Sequence, residues 1–261
     1  MKNRILEFQK VEIREKSIVK NNNADVVGEL VAEPKPNHKN LDTQYYIAYI
    51  RTPFQGKDGV EKANVLPVLL KERDLEENEF IVGEPYLARG RWSSVRHEDN
   101  TFSEFLFAKK IIKLDKETVQ YRNHCEIDGY VRRKPVIKEC YNVYKGTMER
   151  QAEILVTIPR PAGKTLDGQD KIKTDTVTVA FRGNFVNAAL KLSKGDRIAI
   201  DGYFEEIKDE NGILEKYIIV ARDVVILVEK KRRVPDTEIT KETKETVENN
   251  EVTVETAPAE E

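Results

Sequence analysis

Gly28-Glu29-Leu30-Val31-Ala32-Glu33-Pro34 and Gly129-Tyr130-Val131-Arg132-Arg133-Lys134-Pro135 share one pattern: glycine, any residue, an apolar residue, three more, proline. The agreement continues downstream. Gly83 and Gly90 are spaced as Gly195 and Gly202 are, and Ala108-Lys109-Lys110-Ile111-Ile112-Lys113-Leu114 matches Ala221-Arg222-Asp223-Val224-Val225-Ile226-Leu227. Three segments recur in one order, offset by roughly a hundred residues, which marks a duplicated domain rather than a short solenoid repeat. Each copy must then close a fold of its own, and any binding surface occurs twice.

Each copy reads as five strands. In the first they are residues 24–30, 45–51, 64–70, 86–93 and 105–114; in the second they are 125–132, 152–158, 176–182, 197–205 and 216–227. They are rich in aromatic and β-branched residues. Pro34 and Pro36, Gln55-Gly56-Lys57-Asp58-Gly59 and His97-Glu98-Asp99-Asn100 separate them with residue types that end strands and make turns. Between the third and fourth strands of the second copy, Phe185, Ala188, Ala189 and Leu192 recur at helical spacing. This predicts a short amphipathic helix, with Gly195 as its stop. In the first copy the matching stretch, 66–79, reads as a helix shortened or lost.

Five strands with a helix between the third and fourth is the order of a small Greek-key barrel, the OB-fold. Gly28, Gly90, Gly129 and Gly202 fall mid-strand, where a coiled barrel needs bulges or bends. The expected fold is all-β: a lead-in strand or short helix over 1–20, one OB-fold barrel over 21–116, a second over 121–229, and a tail over 234–261. The tail has few aromatics and no periodicity, so it cannot offset its ordering entropy and is expected to be disordered.

Of the 261 residues, 34% are charged and 39% apolar, which suits a heavily charged surface. No apolar run approaches the length of a membrane span. The N-terminus has no signal-peptide core, so a cytoplasmic, nucleoid-associated location is expected. Two cysteines, Cys125 and Cys140, offer no disulfide framework or zinc spacing, and His38, His97 and His124 are scattered, so no cofactor or metal is expected. There is no phosphate-binding glycine loop, no Gly-x-Ser-x-Gly elbow and no His-Glu-x-x-His, so no enzyme constellation is found. The net charge of −2 hides a segregation: residues 234–261 hold nine acids and two lysines, so the tail carries −7 and the body +5. A basic body points to a polyanion.

At this point the chain resembles the bacterial single-stranded DNA-binding protein family. Residues 123–135 are similar to its first strand. Val179-Ala180-Phe181-Arg182, the helix after it and Lys194-Gly195-Asp196-Arg197-Ile198-Ala199-Ile200-Asp201-Gly202 resemble its third strand, helix and fourth strand. Residues 217–227 resemble its last strand, and the likeness covers 21–227. It implies a basic groove that tracks a strand backbone, aromatics that stack bases, and four OB-folds per assembly, hence a homodimer. The acidic tail would be the docking segment for replication or repair proteins. The family's tip ends in Pro-Phe, whereas this chain reads Ala257-Pro258-Ala259-Glu260-Glu261.

Single-strand binding without sequence choice needs cations at phosphate spacing and exposed rings. Strand parity sorts the candidates. In the second copy it turns Tyr130, Arg132 and Tyr203 outward. Phe181 aligns with a base-stacking phenylalanine of the family, beside Arg182, while parity groups it with Val177 and Val179; both readings stay open. Arg160 opens a loop whose Lys164, Lys171 and Lys173 read either as phosphate contacts or as solvated loop charges. In the first copy Tyr46, Arg89 and Arg91 take the outward parity, Arg51 and Phe54 end the second strand, and Arg96 and Phe102 flank the last turn. Glu29 matches Tyr130 and repels phosphate, so the first copy is the expected weaker binder. Trp92 aligns with Phe204 and is assigned to the core. RNA binding and a protein–protein adaptor role are the rival readings.

Overall fold

The computed structural model describes residues 8–13, 22–40, 42–96, 102–165, 167–209 and 211–229. The acidic tail lies outside them. The chain runs β1 (Gln9–Ile13), β2 (Asn22–Leu30), β3 (Lys35–Asn40), β4 (Thr43–Gln55), β5 (Glu61–Lys71), α1 (Glu72–Glu77), β6 (Pro85–Arg96) and β7 (Phe102–Lys113). The second copy follows as β8 (Arg122–Val131), β9 (Val136–Asn142), β10 (Thr147–Lys164), β11 (Asp170–Arg182), α2 (Phe185–Ala189), β12 (Arg197–Lys208) and β13 (Leu214–Glu229).

Each copy closes a five-stranded barrel in the order of an OB-fold. In the first, β2 pairs with β4 at Glu29↔Arg51, β4 with β5, β5 in parallel with β7, β7 with β6, and β6 with β2. In the second, β8, β10, β11, β13 and β12 repeat that circuit, closing at Thr157↔Tyr130. The closure explains the motif glycine. A Cβ at Gly28 would stand 2.3 Å from the Arg51 carbonyl, and one at Gly129 2.7 Å from the Thr157 carbonyl, so only glycine lets the first strand touch both neighbours. The ladders slip at Arg89/Gly90 and at Asp201/Gly202, the bulges expected there.

The helix of the first copy is short, not lost: α1 has six residues against five in α2, and its first turn is fixed by the Lys71 amide donating to the Asp74 carboxylate at 2.8 Å. β3 and β9 go beyond the expected strands. They fold back on β4 and β10 after the motif proline. β3 is exposed at every residue, so it carries no apolar alternation for sequence reading to find. The lead-in is a strand, and it serves the second barrel. β1 lies parallel to β13, and Phe8 packs on Phe181 and Phe185 at centroid distances of 5.7 and 6.0 Å.

The barrels are joined by backbone. β2 pairs antiparallel with β8 from Asn22↔Ile127 to Val27↔Arg122, so one 13-stranded hydrogen-bonded sheet runs through both copies. The junction is two-fold symmetric in character. The pair Asn22↔Ile127 becomes Val26↔Asn123 when the copies are exchanged, and both occur in the ladder. Asn22 donates to the Trp92 carbonyl (2.8 Å) and accepts from its amide (3.0 Å); Asn123 does the same to Phe204, at 2.8 and 2.9 Å. Trp92 and Phe204 then stack at 4.3 Å, fully buried, and fuse the two cores into one cluster. Such a ring pair adds about 0.5–1.5 kcal/mol to the burial itself. Among the described residues no helix is long and apolar enough to cross a membrane.

Candidate nucleic-acid interface

Two candidate cations of the first barrel, Arg51 and Arg89, are neutralised by carboxylates on neighbouring strands. Arg51 sits opposite Glu29 in the closing ladder and bonds to it at 3.2 Å and to Glu61 at 2.7 Å. The Glu61 hydrogen bond leads the interactions that raise its pKa. Glu29 also accepts from the Tyr121 hydroxyl at 2.7 Å. Arg89 faces Asp25 across the β2–β6 pair and grips it with two bonds, 2.7 and 3.0 Å. Arg96 and Phe102 end the β6–β7 ladder, and their side chains lie outside the described residues.

Three candidates point inward. Tyr46 shares its strand face with the buried Ala48, Ile50 and Thr52 and packs on the core, so its assigned parity is off by one residue. Phe181 is fully buried against Phe8, which resolves the open choice in favour of the core. Arg182 is buried too. It makes two 2.8 Å bonds to Glu205 and a 3.0 Å bond to Gln151. Burial works against its charge, but the Glu205 bonds prevail and hold its pKa above the ordinary arginine value. β11 is covered on both faces at this end, so parity cannot assign an outside. Tyr203 leaves the barrel core but stays half-buried on Ala180, Ile218 and Val220, with the Arg222 guanidinium 4.8 Å from its ring centre. Burial pushes its hydroxyl up to about 12.

The structure gathers the other candidates between and beyond the barrels. Arg91 lies 4.3 Å over the Phe107 ring, and Arg160 bonds to the buried Asp175 at 2.9 Å. Burial raises Asp175 although Arg160 and Arg91 both pull it down. Burial, then Arg160, lowers Arg91. One arginine from each copy thus acts on one carboxylate, Arg160 by a direct bond and Arg91 through its charge alone. The segment read as a loop beyond Arg160 is a ladder: Arg160↔Lys173, Pro161↔Ile172 and Lys164↔Asp170 extend β10 and β11 into an arm. Lys164, Lys171 and Lys173 stand exposed on it, with no carboxylate partner among the described residues. Arg132, Arg133 and Lys134 are likewise exposed, and Tyr130 is half-buried on the face opposite Ile127 and Val131.

Two concavities open between the copies. A groove of about 910 Å³ carries Tyr49 and Phe105 from the first copy and Arg132, Lys216 and Tyr217 from the second. A cleft of about 440 Å³ is lined by Phe54 of the first copy and Tyr203 of the second, with Tyr121, Tyr144, Arg122 and Arg222. The hairpin tips of the two copies frame it. The Lys57 amide donates to the Tyr144 carbonyl at 2.8 Å, and the Lys62 ammonium to the Val143 carbonyl at 2.6 Å.

The wild-type single-stranded DNA binding protein from Thermus aquaticus matches this structure with a TM-score of 0.59 and 16% identity, over 80% of this chain and 93% of that chain. A deletion mutant of the same protein matches with a TM-score of 0.61, again at 16% identity, over 84% of this chain and 100% of that one. The chain is a tandem OB-fold. At such identity the likeness is one of fold. No protein-family model matches the sequence, and no curated protein does.

In this tandem OB-fold, sequence reading missed Tyr121, Arg122, Tyr144 and Arg222. Arg222 is the extra residue of the bulge at Gly202, which breaks the period-2 rule. Tyr144 sits in a turn and Tyr121 between the copies, where no periodicity exists. The histidine reading also changes: His124, Glu126 and Asp201 bring their ligand atoms within 4.8 Å, a proximity made across strands, and His124 bonds to Asp201 at 2.8 Å.

The groove holds the carboxyl of Glu104, which is shifted by burial. Burial, against smaller opposing effects from the Tyr217 backbone and Lys216, raises Glu104 from 4.5 to about 7. Between these values the folded protein holds a proton that the unfolded chain has released. Stability therefore falls as pH rises through that window. Glu104→Gln is expected to flatten that slope in denaturant titrations at pH 5 and 7.5; identical slopes would refute it.

Proposed function

We propose that this chain binds single-stranded DNA, without catalysis and with little sequence choice, in replication, recombination or repair. The observation that carries the reading is the fold match to a single-stranded DNA binding protein over 84% of this chain. The unpaired lysines of the β10–β11 arm and the exposed Arg132-Arg133-Lys134 run support it, since phosphates are held by cations free to meet them. We read residues 21–116 and 121–229 as the two binding domains, a homodimer of twice 30.1 kDa as the assembly, and the acidic tail as the docking segment for partner proteins. The interface is proposed to use Arg132, Tyr130, Arg160 and Phe54, with Arg51, Arg89 and Arg91 as weaker contributors.

Titration with oligo-dT tests the reading. Affinity should be high at low salt and fall linearly on a log–log plot against salt, with a slope set by the phosphates neutralised. No binding at low salt would defeat it, and competition between matched DNA and RNA oligomers separates it from RNA binding. The internal pairing of Arg51 and Arg89 favours one second reading, in which the first barrel binds a protein. Affinity unchanged by Arg89→Ala with Arg91→Ala, but lost with Tyr130→Ala and Arg132→Ala, would select it.

A further inference from the structure

We infer that the cleft between the two hairpin tips takes an unstacked nucleobase of the bound strand, an inference that rests on the proposed function and places a base where neither barrel alone has a site. The cleft is built from both copies. Phe54 comes from the first, Tyr144 and Tyr203 from the second, and Tyr121 from the segment joining them. Tyr121 and Tyr144 are 39% and 42% exposed, so ring faces remain for a partner. A base offers a π-face to the Tyr121 and Tyr144 rings, whatever its identity, while Tyr203 is already covered by Arg222 and forms the wall behind them. Arg122 and Arg222 stand at the same cleft and have no carboxylate partner among the described residues, which suits the phosphates on either side of the base.

A second observation comes from the floor. Asn64 is only 5% exposed. Its Oδ1 accepts from the Glu206 amide at 3.2 Å, which fixes which side-chain atom is the nitrogen. That nitrogen has no partner among the described residues, and no fully buried side-chain polar atom among them lacks one, so the amide opens into the cleft. Two N–H donors beside four rings match a planar ligand with carbonyl acceptors, as thymine, cytosine and guanine have. The occupant is therefore a base, held flat by rings and at its edge by Asn64.

The test uses the full chain and oligo-dT in which one thymine at a time is replaced by 5-iododeoxyuridine, irradiated at low salt and mapped by mass spectrometry. The expected adduct lies on Phe54, Tyr121, Tyr144 or Tyr203. Tyr144→Ala should weaken binding about tenfold, the worth of one stacked ring, whereas Tyr144→Phe should bind as the parent does. Adducts confined to residues outside the cleft, or wild-type affinity in Tyr144→Ala, would overturn the inference and leave single-strand binding standing. Protection by dTMP at equal nucleotide concentration would overturn the assignment to a strand. Failure to retain any oligomer would sink the proposed function along with it.

Discussion

Arg182→Ala is expected to lower the unfolding free energy by about 3–5 kcal/mol, because it strands a buried acid. Glu205 is 3% exposed and takes both guanidinium bonds of Arg182; Gln151, 1% exposed, takes a third. Removing the arginine takes away the partner that holds both oxygens of that buried carboxylate. Thermal unfolding should shift down by roughly 10 °C for a domain of this size. Replacing Arg182 and Glu205 together with methionine should recover most of the loss, since no charge is then left unpaired. Affinity for oligo-dT, measured well below the transition, should hold. An unshifted melting curve with lost affinity would return Arg182 to the surface role its sequence neighbourhood suggested.

The second large effect belongs to the β10–β11 arm. Replacing Lys164, Lys171 and Lys173 with alanine should cut the log–log salt slope by about three and weaken binding on the order of a hundredfold at 0.1 M salt. The three side chains are exposed and bury nothing, so melting should not move. Arg89→Ala is the natural control. Its guanidinium is already bound to Asp25 by two bonds, so its loss should lower the slope by less than one. A slope unchanged in the triple variant would remove the arm from the interface.

The strands of both barrels were legible because closure imposes simple demands: alternating apolar residues, a glycine where strands touch, and a bulge at Gly90 and Gly202. What was not legible depends on neighbours from elsewhere in the chain. Tyr45-Tyr46-Ile47 offers no polar contrast, so the face of Tyr46 was read one residue out. Arg182 looks like a surface cation until Glu205 arrives from β12 to bury it. The partner of β1 proved to be β13, more than two hundred residues away, a pairing no local pattern encodes. The clefts between the copies follow from the β2–β8 junction, which neither copy's sequence contains by itself.

That junction has a further consequence. A polynucleotide has a 5′ and a 3′ end, and a groove that reads its direction passes it one way only. Because Asn22↔Ile127 and Val26↔Asn123 exchange under a half-turn, the two barrels face opposite ways rather than following each other in file. A strand that crosses both grooves perpendicular to the axis of that half-turn meets them in opposite senses.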